Sequence, residues 1–215
     1  MAAIVPVIVA ENDQDYRNQV AICNVFSKRA HVVVSDGTLT EFRTLPFQSV
    51  WRPQGWEFDL HMMVSQPSIY VDAIIKLNPS VVFFHAEVNE DLTPTIQKLK
   101  QVDIKVGVVL QKSTYPGIYA KALAIADHVL IFSGDLDQRE GEADLLQIEK
   151  IPLIRTIKHS LTIGWYGGAS FANVRALAHA GIDVINVGQA IRRAPDQTAA
   201  YNQLVEEADR KGVRL

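Results

Sequence analysis

Along the chain, short runs of β-branched and apolar residues alternate with longer segments whose apolar residues recur every three or four positions. That alternation predicts repeated strand–helix units and a parallel sheet. The expected strands are Ile4 to Ala10, Arg29 to Val34, Glu57 to Met62, Val81 to His85, Lys105 to Leu110, His128 to Phe132, Thr162 to Trp165 and Val184 to Val187. About eight such units fit one undivided (β/α)8 barrel over residues 1–215. Most of these runs are nearly continuously apolar, as strands covered on both faces are. Ser170 can cap a helix whose Phe171, Val174, Leu177 and Ala178 share a face, and Gly181 can end it in a left-handed turn. Ile69, Ala73 and Ile74 mark an apolar stripe after Ser68. The irregular stretches Asp36 to Trp56 and Ser133 to Glu142 both follow strands, at the end of a barrel where sites are built. A doubly wound open sheet would show the same alternation, but no G-x-G-x-x-G follows the first strand and no G-x-x-x-x-G-K-S/T occurs.

Strand parity assigns the polar residues to faces. His31, Val33 and Ser35 share one face, as do Asp59, His61 and Met63. If that face is the barrel interior, His31 and His61 look toward each other near the rim. Two imidazoles can begin a metal site or can be buried, hydrogen-bonded structural groups. His85 and Glu87 close the fourth strand at the same spacing. They could transfer protons if burial moves their pKa values toward neutrality, or they could form a pair that holds the loop.

Composition narrows the partners. With 48% hydrophobic and 21% charged residues and a net charge of -3, the chain suits a soluble domain with a substantial core. Its scattered basic residues give no footprint for nucleic acid or for an anionic membrane. The single cysteine, Cys23, cannot form an internal disulfide, reads as a buried thiol of the first helix, and fits a cytoplasmic location. Met1 to Ala10 is apolar but lacks a basic leading region, so it reads as a strand and not as an export signal.

Late in the chain, Gly167-Gly168 follows the seventh strand and Gly188-Gln189 the eighth. Glycines let backbone amides approach an anion, and a helix start adds favourable partial charge. The pair of loops therefore suggests a phosphate site, although glycine also simply makes turns.

At these residues the chain resembles ribulose-phosphate 3-epimerase. That family carries an N-terminal P-S-I-L-S, then H-x-D-x-M-D-G, D-x-H-L-M, F-H-x-E, V-D-G-G and a final G-S/T-A/S-I/V-F loop. In the same order this chain has Pro6-Val7-Ile8-Val9-Ala10, His31 to Gly37, Asp59-Leu60-His61-Met62-Met63, Phe84-His85-Ala86-Glu87, Trp165-Tyr166-Gly167-Gly168 and Gly188-Gln189-Ala190-Ile191. The resemblance implies a barrel of the ribulose-phosphate-binding type and a small phosphorylated sugar as ligand. It also implies homo-oligomers and a divalent metal such as Zn, Fe, Mn or Co, with no nucleotide cofactor. The family's metal is held by two histidines, which carry over as His31 and His61, and by two aspartates that also exchange the substrate proton.

Both aspartate positions depart from the pattern, since they fall on Val33 and Tyr166, and the first serine falls on Val7. A valine has no proton to exchange, and a phenol of ordinary pKa near ~10 is a poor base. The expected metal site is therefore incomplete. The family's phosphate loop after the sixth strand, P-G-F-G-G-Q, is replaced by Ser133-Gly134-Asp135-Leu136-Asp137-Gln138, whose aspartates are expected to repel a phosphate. The related decarboxylases and formaldehyde-lyases use D-x-K-x-x-D on the third strand, and Asp59 to Val64 lacks both the lysine and the second aspartate.

Three functions remain open. One is a ketose-phosphate isomerase or epimerase using His61, His85 or Glu87 for proton transfer, with Met63, Gly167, Gly168, Gly188 and Gln189 holding substrate and phosphate. Another is a catalytically silent member that binds a phosphorylated metabolite or serves as a scaffold. The third is an aldolase or lyase, for which Lys112 after the fifth strand is the one obvious Schiff-base candidate, against the plainer reading of a solvated loop lysine.

Overall fold

The computed structural model describes residues 2–137 and 141–210. Eight parallel strands close into a barrel in sequence order, with β1 (Ala3–Ile8) pairing both β2 (Arg29–Ser35) and β8 (Val184–Val187). Between them stand β3 (Glu57–Met63), β4 (Val81–His85), β5 (Lys105–Leu110), β6 (His128–Phe132) and β7 (Thr162–Tyr166). The periodicity placed every strand within two residues of its observed ends.

Outside the barrel, α1 (Asp13–Phe26) follows β1, α2 (Val71–Leu77) follows β3, α3 (Leu92–Lys100) follows β4 and α4 (Ala120–Ile125) follows β5. Then α5 (Lys150–Ile157) follows β6, α6 (Val174–His179) follows β7, and α7 (Gln189–Arg192) and α8 (Gln197–Asp209) follow β8. α1 starts where Asn12 accepts a hydrogen bond from the Asp15 amide, and it buries Tyr16, Val20 and Cys23 on one face. Among the described residues no helix is long and apolar enough to cross a membrane.

Three local expectations change. The β2–β3 connection contains only a 3-10 turn, Phe47–Ser49, so the second unit has no α-helix. That long loop is pinned instead by Tyr16, whose hydroxyl donates to the Trp51 carbonyl at 2.7 Å and whose ring meets Trp51 edge-on. α6 begins at Val174, not after Ser170. The Asn173 side chain accepts from the Ser170 amide and donates to the Gly168 carbonyl, holding residues 168–173 in a turn that leaves Phe171 partly exposed. Ile69 lies in a 3-10 turn, Pro67–Tyr70, and is 68% exposed, while Val71 and Ile74 supply the buried face of α2. Gly181 takes the expected left-handed conformation, with φ +96°.

Strand alternation divides the apolar residues into two cores. Ile8, Val32, Val34, Leu60, Val82 and Val108 belong to the layer between sheet and helices. Val7, Val33, Met63, Phe83, Val109, Leu130 and Phe132 fill the barrel itself. At the lower end of the interior, Asp59 is buried and paired with Arg29 at 2.8 Å. Phe83 can lean across the barrel only because β5 has a glycine opposite, since a Cβ on Gly107 would lie 2.3 Å from the Phe83 ring. Replacing Gly107 by alanine is therefore expected to cost about 1–3 kcal/mol of stability by overpacking. Urea unfolding of Gly107→Ala with and without Phe83→Leu checks this, because the second substitution makes room and returns part of the loss.

Candidate functional site

Parity brings the predicted histidines together inside the barrel. His31 Nε2 lies 3.1 Å from His61 Nδ1, and His61 Nε2 lies 2.9 Å from His85 Nε2. His85 Nδ1 in turn faces Glu87 Oε2 at 3.5 Å. All three histidines are completely buried, with Tyr166, Phe83 and Phe132 against their rings.

Burial pushes the Glu87 carboxyl up, but the neighbouring His85 ring and hydrogen bonds from the Thr114 hydroxyl and the Gln111 amide outweigh it, and the net shift is downward. The 3.5 Å between His85 Nδ1 and Glu87 Oε2 is too long for a hydrogen bond, so the two meet as neighbours, while the three rings meet nitrogen to nitrogen. Burial drives His31 down to about 3 and His61 well below its usual value, and the neighbouring imidazoles lower His61 further. Glu87 also ties down the loop after β5 through Gln111 and Thr114, so its observed contacts are those of a brace.

Above the histidines, a cavity of about 810 Å³ opens at the carboxyl ends of the strands. Met63, Gly167, Gly168, Gly188 and Gln189 all line it. His31, His61, His85 and Glu87 do not; Tyr166, Met63 and Phe132 stand at the cavity wall in their place. Sequence reasoning missed Asn186, Ser170, Arg192 and Arg193, which also line the cavity, as does Glu142. The two arginines follow Gln189 by one helical turn, a spacing that could have disclosed them.

The glycines after β7 have a steric reason of their own. A Cβ on Gly168 would stand 2.0 Å from the Ala143 amide nitrogen and one on Gly167 2.4 Å from that of Gly134, because the loops after β6 and β7 cross in contact. Both also have positive φ, +66° and +112°. Gly188 is different: its φ is -100°, and a Cβ there would touch Val7 at an ordinary 3.6 Å.

The aspartates expected to repel phosphate do not line the cavity. Asp135 pairs with Lys112, so that lysine is an ion-pair partner at the loop surface. Asp137 accepts from the Thr40 hydroxyl and the Glu41 amide, joining the loops after β2 and β6. Gln138 lies outside the described residues.

The implied divalent ion does not fit these residues. The separation of His31 Nε2 and His61 Nδ1 is close to the roughly 3.3 Å between two nitrogens on one tetrahedral ion, so distance alone permits one. The remaining donors do not. The two positions that should supply carboxylates hold Val33, fully buried, and Tyr166, whose phenol burial pushes up to about 12. Two neutral imidazoles and a neutral phenol leave a dication uncompensated in a buried place. Among the described residues no three His, Cys, Asp or Glu side chains are placed to hold an ion.

A closed barrel of eight parallel strands, with a cavity at their carboxyl ends, defines the (β/α)8 barrel class. A model of the ribulose-phosphate 3 epimerase family matches residues 3–192, and the chain belongs to that family. It is 29% identical over 150 residues to the ribulose-phosphate 3-epimerase of Aquifex aeolicus (strain VF5), covering 68% of this chain and 68% of that protein. It is 28% identical over 181 residues to the enzyme of Helicobacter pylori (strain J99), covering 81% and 83% respectively. A solved 3-hexulose-6-phosphate synthase superposes with a TM-score of 0.77 at 14% identity, over 95% of this chain and 99% of that one, which shows a shared fold.

Two outcomes follow from the buried chain. His31, His61 and His128, the last lowered by burial to about 4, take up protons in the unfolded state near pH 6.5 but not in the folded one. Stability therefore falls as pH drops below about 6.5, by up to about 1.4 kcal/mol per pH unit for each histidine. Asp59, raised by burial against the pull of Arg29, opposes them by at most one proton, and Glu87 contributes in the same sense as the histidines only below about pH 4.5. Urea unfolding between pH 4.5 and 7.5 reads the slope, and stability that stays flat or rises on acidification contradicts neutral buried rings. Secondly, Val33→Asp combined with Tyr166→Asp should give a protein whose melting temperature rises by several degrees with added Zn or Mn, whereas the natural chain does not respond.

Proposed function

We propose that this chain, one barrel domain throughout, binds a phosphorylated metabolite at the carboxyl end of the barrel and does not carry out metal-dependent 3-epimerisation. The observation that carries this reading is the pairing of an intact cavity with missing chemistry. The family's two proton-exchanging positions are Val33 and Tyr166, while Gly188, Gln189, Ser170, Arg192 and Arg193 line the side of the cavity where a phosphate would dock. Amides and guanidinium groups there suit a phosphate dianion. The names of its relatives, ribulose-phosphate 3-epimerases, support a phosphorylated ligand of this general class.

An isomerase working through His61, His85 or Glu87 is the second reading. It is favoured by the row of close nitrogen contacts from His31 through His61 to His85, along which a proton could be relayed. Against it, a general base must come within hydrogen-bond reach of the proton it abstracts, and His61, His85 and Glu87 do not line the cavity, while Tyr166 and Phe132, which do, pack on the histidine rings. The downward shifts of His31 and His61 make them weak bases as well. The lone buried Cys23 suits a reducing cytoplasm, where we place the protein.

Incubating the purified chain with D-ribulose 5-phosphate and Mn, Fe, Co or Zn should give no turnover above a heat-killed control, while calorimetric titration with inorganic phosphate releases or takes up heat saturably. Turnover that disappears on chelation would overturn the first half of the proposal. Turnover that survives chelation and is lost in His61→Ala would establish the second reading instead.

A further inference from the structure

We infer that the body of the ligand is apolar or aromatic, attached to the anionic group, and is not a polyhydroxylated sugar chain. The inference rests on the reading of the cavity as a site for a phosphorylated metabolite, and it names the kind of molecule.

Most of the polar lining comes from two neighbouring segments: Ser170, Asn173, Gln189, Arg192 and Arg193 follow β7 and β8, and Glu142 of the β6 loop is the exception. Much of the remaining lining is apolar: Val7, Val9, Phe42, Met63, Phe132 and Leu136, contributed by β1, β3, β6 and the loops after β1, β2 and β6. These side chains continue the apolar packing of the barrel interior without a break. Tyr166 and Phe132 add an aromatic surface, with ring centroids 5.5 Å apart, tilted to each other and both at the cavity wall.

Several polar groups nearby are already engaged. Asn173 is committed to the Ser170 amide and the Gly168 carbonyl. The Asn186 amide group donates to the Trp165 carbonyl at 3.0 Å, and its Oδ1 is buried away from the cavity surface. Glu142, on the side of the β6 loop, is the one carboxylate of the lining among the described residues.

A ketose phosphate would bring several hydroxyls against this wall, and each hydroxyl left without a partner costs roughly tenfold in affinity. An apolar or aromatic body loses nothing there and gains contact with the side chains. Tyr166, which stands at one of the two proton-exchanging positions, is thus also part of the aromatic surface that selects such a body.

Calorimetric titration of the whole chain with four probes tests this: inorganic phosphate, D-ribulose 5-phosphate, benzyl phosphate and benzyl alcohol. Benzyl phosphate should bind at least about tenfold more tightly than D-ribulose 5-phosphate and inorganic phosphate. Val9→Phe, which takes up space on the apolar wall, should lower the ratio of benzyl phosphate to inorganic phosphate affinity while the melting temperature stays within a few degrees. D-Ribulose 5-phosphate binding as tightly as benzyl phosphate, or a ratio unmoved by Val9→Phe, overturns the inference and leaves the phosphate reading standing. Benzyl alcohol binding as tightly as benzyl phosphate overturns the phosphate reading and leaves the apolar body standing. No binding by any probe overturns both.

Discussion

An imidazole sealed inside a barrel of parallel strands has to stay neutral, and it has to find its hydrogen bonds among whatever the neighbouring strands turn inward. In this protein three strands in succession offer each other histidines, and the links His31–His61–His85 close at distances of 3.1 and 2.9 Å. The carboxylate of Glu87 lies 3.5 Å from the outer nitrogen of His85, at one end of the row. Because charge is costly there, everything packed around the rings is apolar or aromatic: Val33 beside His61 in register, Phe83 across the barrel, and Phe132 and Tyr166 above. The seating of Phe83 in turn depends on the missing side chain at Gly107.

The same constraint shapes the site. In the resemblance to ribulose-phosphate 3-epimerase, carboxylates would justify both a metal ion and the solvent that reaches it. With Val33 and Tyr166 in their place, a charge at the rings would have no compensation, and Met63, Phe132 and Tyr166 close over them as a cavity floor. The histidines lie outside the cavity lining, which is apolar over much of its surface, while the glycine- and arginine-bearing loops after β7 and β8 keep a polar character. Glu87 and Asp137 each brace a loop by accepting backbone and hydroxyl hydrogen bonds.

Much of this was legible in the chain itself. Eight apolar runs gave the strands almost to the residue, because strands buried on both faces must be continuously hydrophobic. The two-residue period put His31, His61 and His85 on the inner face. The departures at Val7, Val33 and Tyr166 were visible on the sequence as soon as the resemblance supplied a pattern to depart from. The order of motifs also led to the family, and the match over residues 3–192 agrees with it.

Other features depend on contacts between residues far apart in sequence. That Gly167 and Gly168 are held by the crossing of the β6 loop, and that Asp135 and Asp137 turn away from the cavity toward Lys112, Thr40 and Glu41, could not be read from local pattern. Nor could the depth of the histidines below the cavity floor, which is set by how Phe132 and Tyr166 tilt across the barrel mouth. Periodicity reports which face of an element a side chain occupies. It carries no information about what closes over that face, because the closing groups come from other strands, and only the folded barrel brings them together.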